Sequence, residues 1–367
     1  ISPQSGPLDG GTLLTVQGKN LGRRAEAVKV SIGSVPCTLL PERYTVSVEL
    51  VCVTGRSEYE TADIVQVVVD GNEMGASKEQ FSYLVPRLLS MEPRKGPRAG
   101  GTRVTIRGEH LDIGSQVRVK VNGTQECAIK MPAADIIECT MPAAVQEHTE
   151  PVVVCLEFEN LPCQGEELST TYSYEKNPTI SFIKPKRSYL SGGRTITVTG
   201  QGFDLVQSVI MEVLGVGQTT CTVHSISMIK CASPASSQSQ QALLQFYLNS
   251  VLYTGDSPAS SDSEPEEEEE PHGGQFLLEY VEDPQFFTAS KEKLIKHHPG
   301  EPLTLIINKV PSDLELAPEE YSVMIGSHPC DISFYNDQLF HCTINGSLSS
   351  SERELPVTVQ VGNFIAP

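Results

Sequence analysis

The sequence lacks tryptophan, and it has no apolar segment long enough for a membrane-spanning helix. The basic segment and apolar block that begin a signal peptide are also missing. Because the chain opens at Ile1-Ser2-Pro3, inside a motif that recurs later, we expect it to be a piece of a larger protein. We do not expect this piece to insert into a membrane.

Basic residues are scarce. The chain has 27 Lys and Arg against 46 Asp and Glu, a formal net charge of −19. Such a charge repels a polyanion over most of the surface, so we expect no nucleic-acid partner.

Motifs of catalysis and metal binding are missing as well. There is no CxxC pair, no His-Glu-x-x-His, no Gly-x-Ser-x-Gly and no phosphate-binding glycine loop. The adjacent histidines His297 and His298 would point to opposite faces of a strand and cannot easily chelate one ion. The sequence therefore predicts no enzymatic activity, no catalytic residue, no metal site and no cofactor.

Cysteines are present in an even number and fall in local pairs. Because short loops close most readily, we expect five nearest-neighbour disulfides. The pairs are Cys37 with Cys52, Cys127 with Cys139, Cys155 with Cys163, Cys221 with Cys231, and Cys330 with Cys342. The alternative is free, buried thiols in a cytosolic protein.

Two glycosylation sequons favour the oxidised alternative. They are Asn122-Gly123-Thr124 and Asn345-Gly346-Ser347, both in turn-like contexts, and we expect glycans on Asn122 and Asn345. Disulfides together with glycans indicate an extracellular protein.

One motif is repeated along the chain. Gly-Pro-x-x-Gly-Gly-Thr occurs at residues 6–12 and 96–102, Leu-Ser-Gly-Gly occurs at 190–193, and a weaker copy starts at Pro299-Gly300. From Gly10 to Gly100, Gly192 and Gly300 the spacings are 90, 92 and 108 residues, which is the length of a domain. We expect four domains of one kind, over residues 1–86, 87–176, 177–282 and 283–367.

Each copy is followed by alternating apolar and polar residues, as in Thr102-Arg103-Val104-Thr105-Ile106-Arg107. This period of two is typical of a half-buried strand, and about seven such runs fit each repeat. We predict an all-β protein of four tandem immunoglobulin-like sandwiches, each with two antiparallel sheets. The core tryptophan of antibody domains is absent, so the sandwiches belong to another family.

The junctions between repeats are short. An exit tyrosine is followed within four residues by a proline, in the pairs Tyr83 and Pro86, Tyr174 and Pro178, and Tyr280 and Pro284. Proline restricts the backbone, so we expect semi-rigid junctions and an elongated stalk.

The third repeat carries an acidic insertion at about 256–272, which we expect to be disordered. One hypothesis is that it folds back on Lys184, Lys186, Arg187 and Arg194 of the same repeat. Basic residues at the repeated turn are usually solvent-facing, with contact between domains or binding of sulfated glycans as the alternatives.

The motifs resemble those of the IPT/TIG domain family over essentially the whole chain. The carrying residues are Gly-Pro-x-x-Gly-Gly-Thr, the alternating strand, and Gly-x-x-Leu at 18–21 and 108–111. The last repeat, with Cys330-Asp331-Ile332, His341-Cys342 and residues 355–364, resembles the membrane-proximal IPT domain of plexins, and Tyr280-Val281-Glu282-Asp283-Pro284 resembles the plexin junction. The acidic insertion departs from the A-type pattern and favours the D class.

The resemblance implies the extracellular part of a single-pass semaphorin receptor. Semaphorin would bind a propeller domain that this chain does not contain, with a co-receptor such as neuropilin and homodimerisation as further interactions. The fragment would be a structural spacer that sets the shape of the ectodomain and couples ligand-induced dimerisation to the membrane.

Two other classes share the fold. Hepatocyte-growth-factor-type receptor kinases also carry consecutive IPT domains, which there can take part in ligand binding; the plexin-like last repeat argues against them. Transcription factors with IPT folds bind DNA through basic loops, and the negative charge, the paired cysteines and the sequons argue against that class.

Overall fold

The computed structural model describes residues 1–145, 150–163, 165–254, 275–288, 295–298, 300–344 and 354–366. These residues form β-strands with a few short 3-10 helices, which confirms the predicted all-β class. The chain divides into two compact units, Ile1–Asn177 and Pro178–Pro367, and each holds two sandwiches with separate apolar cores. Among the described residues no helix is both long and apolar enough to cross a membrane.

The first unit contains the first and second sandwiches. Strands of the first are β1 Ser5–Pro7, β2 Leu13–Gln17, β3 Val28–Ile32, β4 Val35–Leu39, β5 Glu49–Thr54, β6 Thr61–Val69 and β7 Glu73–Leu84. Strands of the second are β8 Arg87–Glu92, β9 Lys95–Pro97, β10 Arg103–Glu109, β11 Val117–Val121, β12 Gln125–Pro132, β13 Ile136–Thr140, β14 Val152–Phe158 and β15 Ser169–Glu175.

The second unit contains the third and fourth sandwiches. Strands of the third are β16 Thr179–Lys184, β17 Arg187–Tyr189, β18 Thr195–Gln201, β19 Val209–Val213, β20 Gly217–Ser225, β21 Met228–Ala232, β22 Gln240–Leu248, β23 Val251–Leu252 and β24 Phe276–Val281. Strands of the fourth are β25 Phe286–Thr288, β26 Leu303–Lys309, β27 Tyr321–Ile325, β28 His328–Pro329, β29 Asp331–Tyr335, β30 Leu339–Ile344, β31 Val357–Val361 and β32 Phe364–Ala366. The 3-10 helices of the two units are Ala25–Ala27, Pro41–Arg43, Glu166–Leu168, Phe203–Leu205 and Pro318–Glu320.

One strand of every sandwich passes from one sheet to the other. In the third sandwich β20 pairs with β19 through Gly217–Cys221 and with β21 through Thr222–Ser225. In the fourth sandwich the same path is split into β28 and β29, with Cys330 between them. The two sheets of the fourth sandwich, β25-β26-β30-β29 and β28-β27-β31-β32, show the two layers separately.

The first cysteine of each sandwich lies where the strand changes sheets. Cys37, for example, pairs with Val30 of one sheet and with Thr54 of the other. A disulfide at this residue ties the crossing strand to its neighbour.

Buried tyrosines close three of the cores. Tyr83, Tyr174 and Tyr280 are at most 7% exposed. Each hydroxyl donates to the backbone carbonyl three residues after the second cysteine, namely Gly55 at 3.1 Å, Pro142 at 2.8 Å and Pro234 at 2.8 Å. The exit tyrosines are therefore core residues whose polar ends are satisfied inside the same sandwich.

Candidate functional site

The structure joins the ten cysteines into the five nearest-neighbour disulfides, with Cα–Cα distances from 4.4 to 6.2 Å. Asn122 is exposed in the turn between β11 and β12, where an oligosaccharide has room. Asn345 and the whole acidic insertion at about 256–272 lie outside the described residues. Within those residues no three His, Cys, Asp or Glu side chains are grouped so as to hold a metal ion.

The repeated motif contains a double-glycine turn, and the structure shows why glycine is needed there. The turns are Gly10-Gly11, Gly100-Gly101 and Gly192-Gly193. All six glycines have positive φ, between 69° and 83°, a conformation that other residues adopt only with strain. In each unit the turn of the first of its two sandwiches contacts the second. The candidate functional sites are therefore the two junctions inside the units.

In the first unit the junction is built from backbone groups and one carboxylate. Gly114 N donates to Ser5 O at 2.9 Å, and Leu13 N donates to Ser115 Oγ at 3.1 Å. The backbone N–H and the hydroxyl of Ser115 both donate to the carboxylate of Glu159. These bonds fix a loop of the second sandwich against the first strands of the first sandwich.

Glu159 is only 8% exposed and begins the turn after β14. A Cβ atom added to Gly11 would lie 3.3 Å from the Glu159 Cβ, so the second glycine of the turn leaves room for the next sandwich. Gly114, with φ 81°, similarly packs against the Glu159 carboxylate.

In the second unit the same turn meets the same part of the following sandwich. Asn363 N donates to Gly192 O at 3.0 Å, and Asn363 Nδ2 donates to Ser191 O at 3.2 Å. A Cβ on Gly193 would lie 2.6 Å from Asn363 N. Since β14 pairs with β11 as β31 pairs with β27, Glu159 and the Gly362-Asn363 turn occupy equivalent places.

A small apolar core joins the third and fourth sandwiches. Tyr189 is 1% exposed and packs with Leu314, Leu316 and Val361 of the fourth sandwich. Burial holds the pKa of the Tyr189 phenol far above its usual value, and the nearby Glu320 carboxylate raises it further. The phenol is therefore neutral in this core, which avoids the cost of a buried charge.

Two arginines of the third sandwich reach the fourth. Arg194 binds Glu320 through Nε at 2.8 Å and Nη2 at 3.2 Å, a bidentate pair. Its side chain is 2% exposed, and Nη1 donates to Arg187 O at 2.8 Å. Arg187 itself pairs with Glu279 at 2.7 Å and donates through Nη1 to Asp313 O at 3.0 Å.

The connection between these sandwiches is held as well. Asp283, in the segment after β24, accepts hydrogen bonds from Ser191 N at 2.8 Å and from Ser191 Oγ at 2.7 Å. The connecting segment is thus bonded back to the double-glycine turn. Together the apolar core, the Arg194–Glu320 ion pair and the Asp283–Ser191 hydrogen bonds restrict rotation of the fourth sandwich relative to the third.

Comparison with known families accounts for the repeated turn. The IPT/TIG domain family matches residues 1–83, 86–174 and 178–261. The chain belongs to the IPT/TIG domain family. Its fourth sandwich lies outside the matched residues, but the strand order β25-β26-β30-β29 and β28-β27-β31-β32 follows that of the third IPT domain.

Similar proteins over this chain are plexins. Mouse Plexin-B2 is 40% identical over 58% of the chain, and human Plexin-B1 is 31% identical over 99%. A solved structure of the plexin A4 full extracellular region matches this chain with a TM-score of 0.69 and 23% identity. The match covers 100% of this chain and 29% of the plexin A4 chain, and it supports the fold. The chain spans only 12% and 18% of the two curated relatives.

The resemblance to a run of plexin IPT domains is therefore confirmed. The two curated relatives are B-class plexins, so they lend no support to the D class, which the acidic insertion favours.

Proposed function

We propose that this chain is an extracellular spacer of a plexin-type semaphorin receptor, made of IPT domains at 1–86, 87–176, 177–282 and 283–367. Semaphorin binds a propeller domain outside this segment, alone or with a co-receptor such as neuropilin. The spacer carries the orientation of the ligand-bound part toward the membrane, and so couples ligand-induced dimerisation to the cell. It has no catalytic role.

The observation that carries the proposal is the junction between the third and fourth IPT domains. The bidentate Arg194–Glu320 pair and the apolar core around Tyr189 resist rotation of one domain against the other in different ways. The two hydrogen bonds of the ion pair restrict the relative orientation of the domains, and the close packing of the apolar core restricts their separation. A spacer that transmits orientation needs such a junction, whereas a flexible tether does not. The first-unit junction at Glu159 uses the equivalent turn, which supports one design repeated within the units.

The disulfides and glycans serve the same function. Each disulfide closes a loop of 8 to 15 residues, which stabilises the sandwich by about 3 kcal/mol. We propose glycans at Asn122 and Asn345, which shield the spacer outside the cell. The plexin relatives favour this assignment over a hepatocyte-growth-factor-type receptor.

The test measures how freely the third and fourth domains move. Spin labels on unnatural residues at the exposed positions Thr220 and Asp337 report the distribution of distances between the two domains in the whole chain. We expect one narrow distribution, broadened by Tyr189→Ala combined with Glu320→Gln. Glu126→Gln is the matched control, because Glu126 pairs with Lys120 inside one domain.

A broad distribution in the unaltered chain would contradict the spacer. So would equal broadening in the Glu126→Gln control, since the effect would then not arise at the junction.

A further inference from the structure

A basic sheet face stands out in this acidic chain. Between residues 178 and 282 the sequence has five Lys and Arg residues, and all five line one open cleft of about 1000 Å³ in the second unit. They are Lys184, Lys186, Arg187, Arg194 and Lys230.

The two arginines of this cleft are already engaged. Arg187 binds Glu279, and Arg194 binds Glu320, both through short ion pairs. In the described part of the chain no ion pair joins Lys184 or Lys230 to a carboxylate. The hypothesis that the acidic insertion folds back on Lys184, Lys186, Arg187 and Arg194 stays a prediction, because the insertion lies outside the described residues; within them the two arginines pair with the carboxylates named above.

Two of the three lysines, Lys184 and Lys230, lie in one row of the sheet. Lys184 of β16 pairs with Thr197 of β18, and Thr197 pairs with Lys230 of β21. Two steps of strand spacing put the lysine Cα atoms about 10 Å apart, on either side of the threonine. All three side chains point away from the core, because Ile183, Val198 and Ile229 fill the inward positions.

The rest of this face suits a sugar polyanion. Thr195, Thr197 and Thr199 set three hydroxyls along β18, and the exposed ring of Phe182 lies in the next row, with Lys184 Nζ 5.4 Å from its centre. The strands β16, β18, β20 and β21 contain no Asp or Glu. Four carboxylates from other parts of the second unit also line the cleft, Glu279, Asp313, Glu315 and Glu320, and two of them, Glu279 and Glu320, are paired with the arginines.

We propose that this face binds a sulfated glycosaminoglycan. Lysine ammonium groups bind sulfates, threonine hydroxyls donate to sulfate or sugar oxygens, and the Phe182 ring packs against a sugar face. A sheet face whose own strands carry no carboxylate accepts such a chain, whereas the net negative charge of the protein repels it elsewhere. The site is independent of the spacer function, since Lys184 and Lys230 take no part in the junction bonds described above.

The experiment measures binding of a size-defined heparin oligosaccharide to the whole chain by surface plasmon resonance at several salt concentrations. We expect Lys184→Gln with Lys230→Gln to weaken binding at least tenfold. The slope of log affinity against log salt should become shallower by about 1.4, from two contacts at about 0.7 each as for a single-stranded polyanion. Lys184→Arg with Lys230→Arg should keep the affinity, because the charges remain.

The matched control is Lys29→Gln with Lys78→Gln, which removes two exposed lysines of the first sandwich. It should change the affinity less than twofold. An equal loss in this control, no loss in the Lys184/Lys230 variant, or a loss found only on changing Arg94 and Lys95 of the second sandwich would overturn the proposal.

Deleting residues 257–271 separates the glycan from the chain's own acidic segment. If the unaltered chain binds heparin and the deletion variant binds through the same two lysines, the proposal stands. If heparin binds only after the deletion, the occupant is the acidic segment, and the proposal fails. Thermal unfolding of each variant verifies that the fold is retained.

Discussion

The ion pair between Arg194 and Glu320 offers the sharpest measure of how firmly two domains are joined. The Arg194 side chain is 2% exposed and that of Glu320 is 26% exposed, so the pair is largely shielded from solvent and salt. A hydrogen-bonded pair of this kind contributes about 2 kcal/mol, whereas an exposed pair contributes less than about 1 kcal/mol. Removing one partner costs more, because the other charge stays buried.

A double-mutant cycle isolates this contribution. Arg194→Met keeps the length of the side chain, and Glu320→Gln keeps an acceptor for Ala317 N, which donates to Glu320 at 2.8 Å. We expect a coupling free energy of about 2 kcal/mol, which is about a 30-fold change in a local opening equilibrium. Native-state hydrogen exchange of the β27 amides, which follow Glu320 directly, measures that equilibrium in the unaltered protein, the two single variants and the double variant.

A coupling below about 0.5 kcal/mol would refute the reasoning, because the pair would then behave as one on an open surface. A coupling that disappears between low and high salt would refute it equally, since it would contradict the burial of Arg194.

Two further predictions concern the turns and the tyrosines. Gly193→Ala should loosen the junction, because the new Cβ would lie 2.6 Å from Asn363 N at a φ of 79°, and the backbone amides of residues 361–366 should exchange hydrogen faster. The control is Gly215→Ala, which has a similar φ of 76° but no atom within 4 Å of the new Cβ. It introduces only the backbone strain of about 1–2 kcal/mol and should leave the exchange of residues 361–366 unchanged. Burial raises the pKa of Tyr83 to about 12, above its ordinary 10, so its contribution to stability is full below pH 10 and is lost as the pH rises through about 12. Ultraviolet titration of the phenolate together with unfolding at each pH measures this loss, and an unchanged pH profile in Tyr83→Phe would count against it.

The sequence predicted the sandwiches from purely local signals. Alternation such as Val104 and Ile106 within a polar run reports which face of a strand is buried, and the structure buries both side chains at 1% or less. Positive φ at the double glycines also followed from residue type. The residues around the second glycine do not predict its contact with the next sandwich, because Asn363 is 170 residues away from Gly193 along the chain.

Arg194 shows where reasoning from charge along the sequence stops. The nearest run of carboxylates in the sequence is the acidic insertion of the same repeat, but the structure pairs Arg194 with Glu320, 126 residues away. The charge composition predicts that a buried arginine is paired with a carboxylate, but it does not predict which one. Coulomb attraction depends on the distance between the two charges in space, and the packing of the domains sets that distance.

The sequence by itself determined the class of fold, its repetition and its kinship, since periodicity, turn residues and cysteine spacing act over a few positions. Only the tertiary structure decided which surfaces meet inside each unit and which stay open. Tyr189 became a core residue between two domains, and Lys184 and Lys230 became neighbours across Thr197, because strands distant in the chain pair in a register that no short segment encodes.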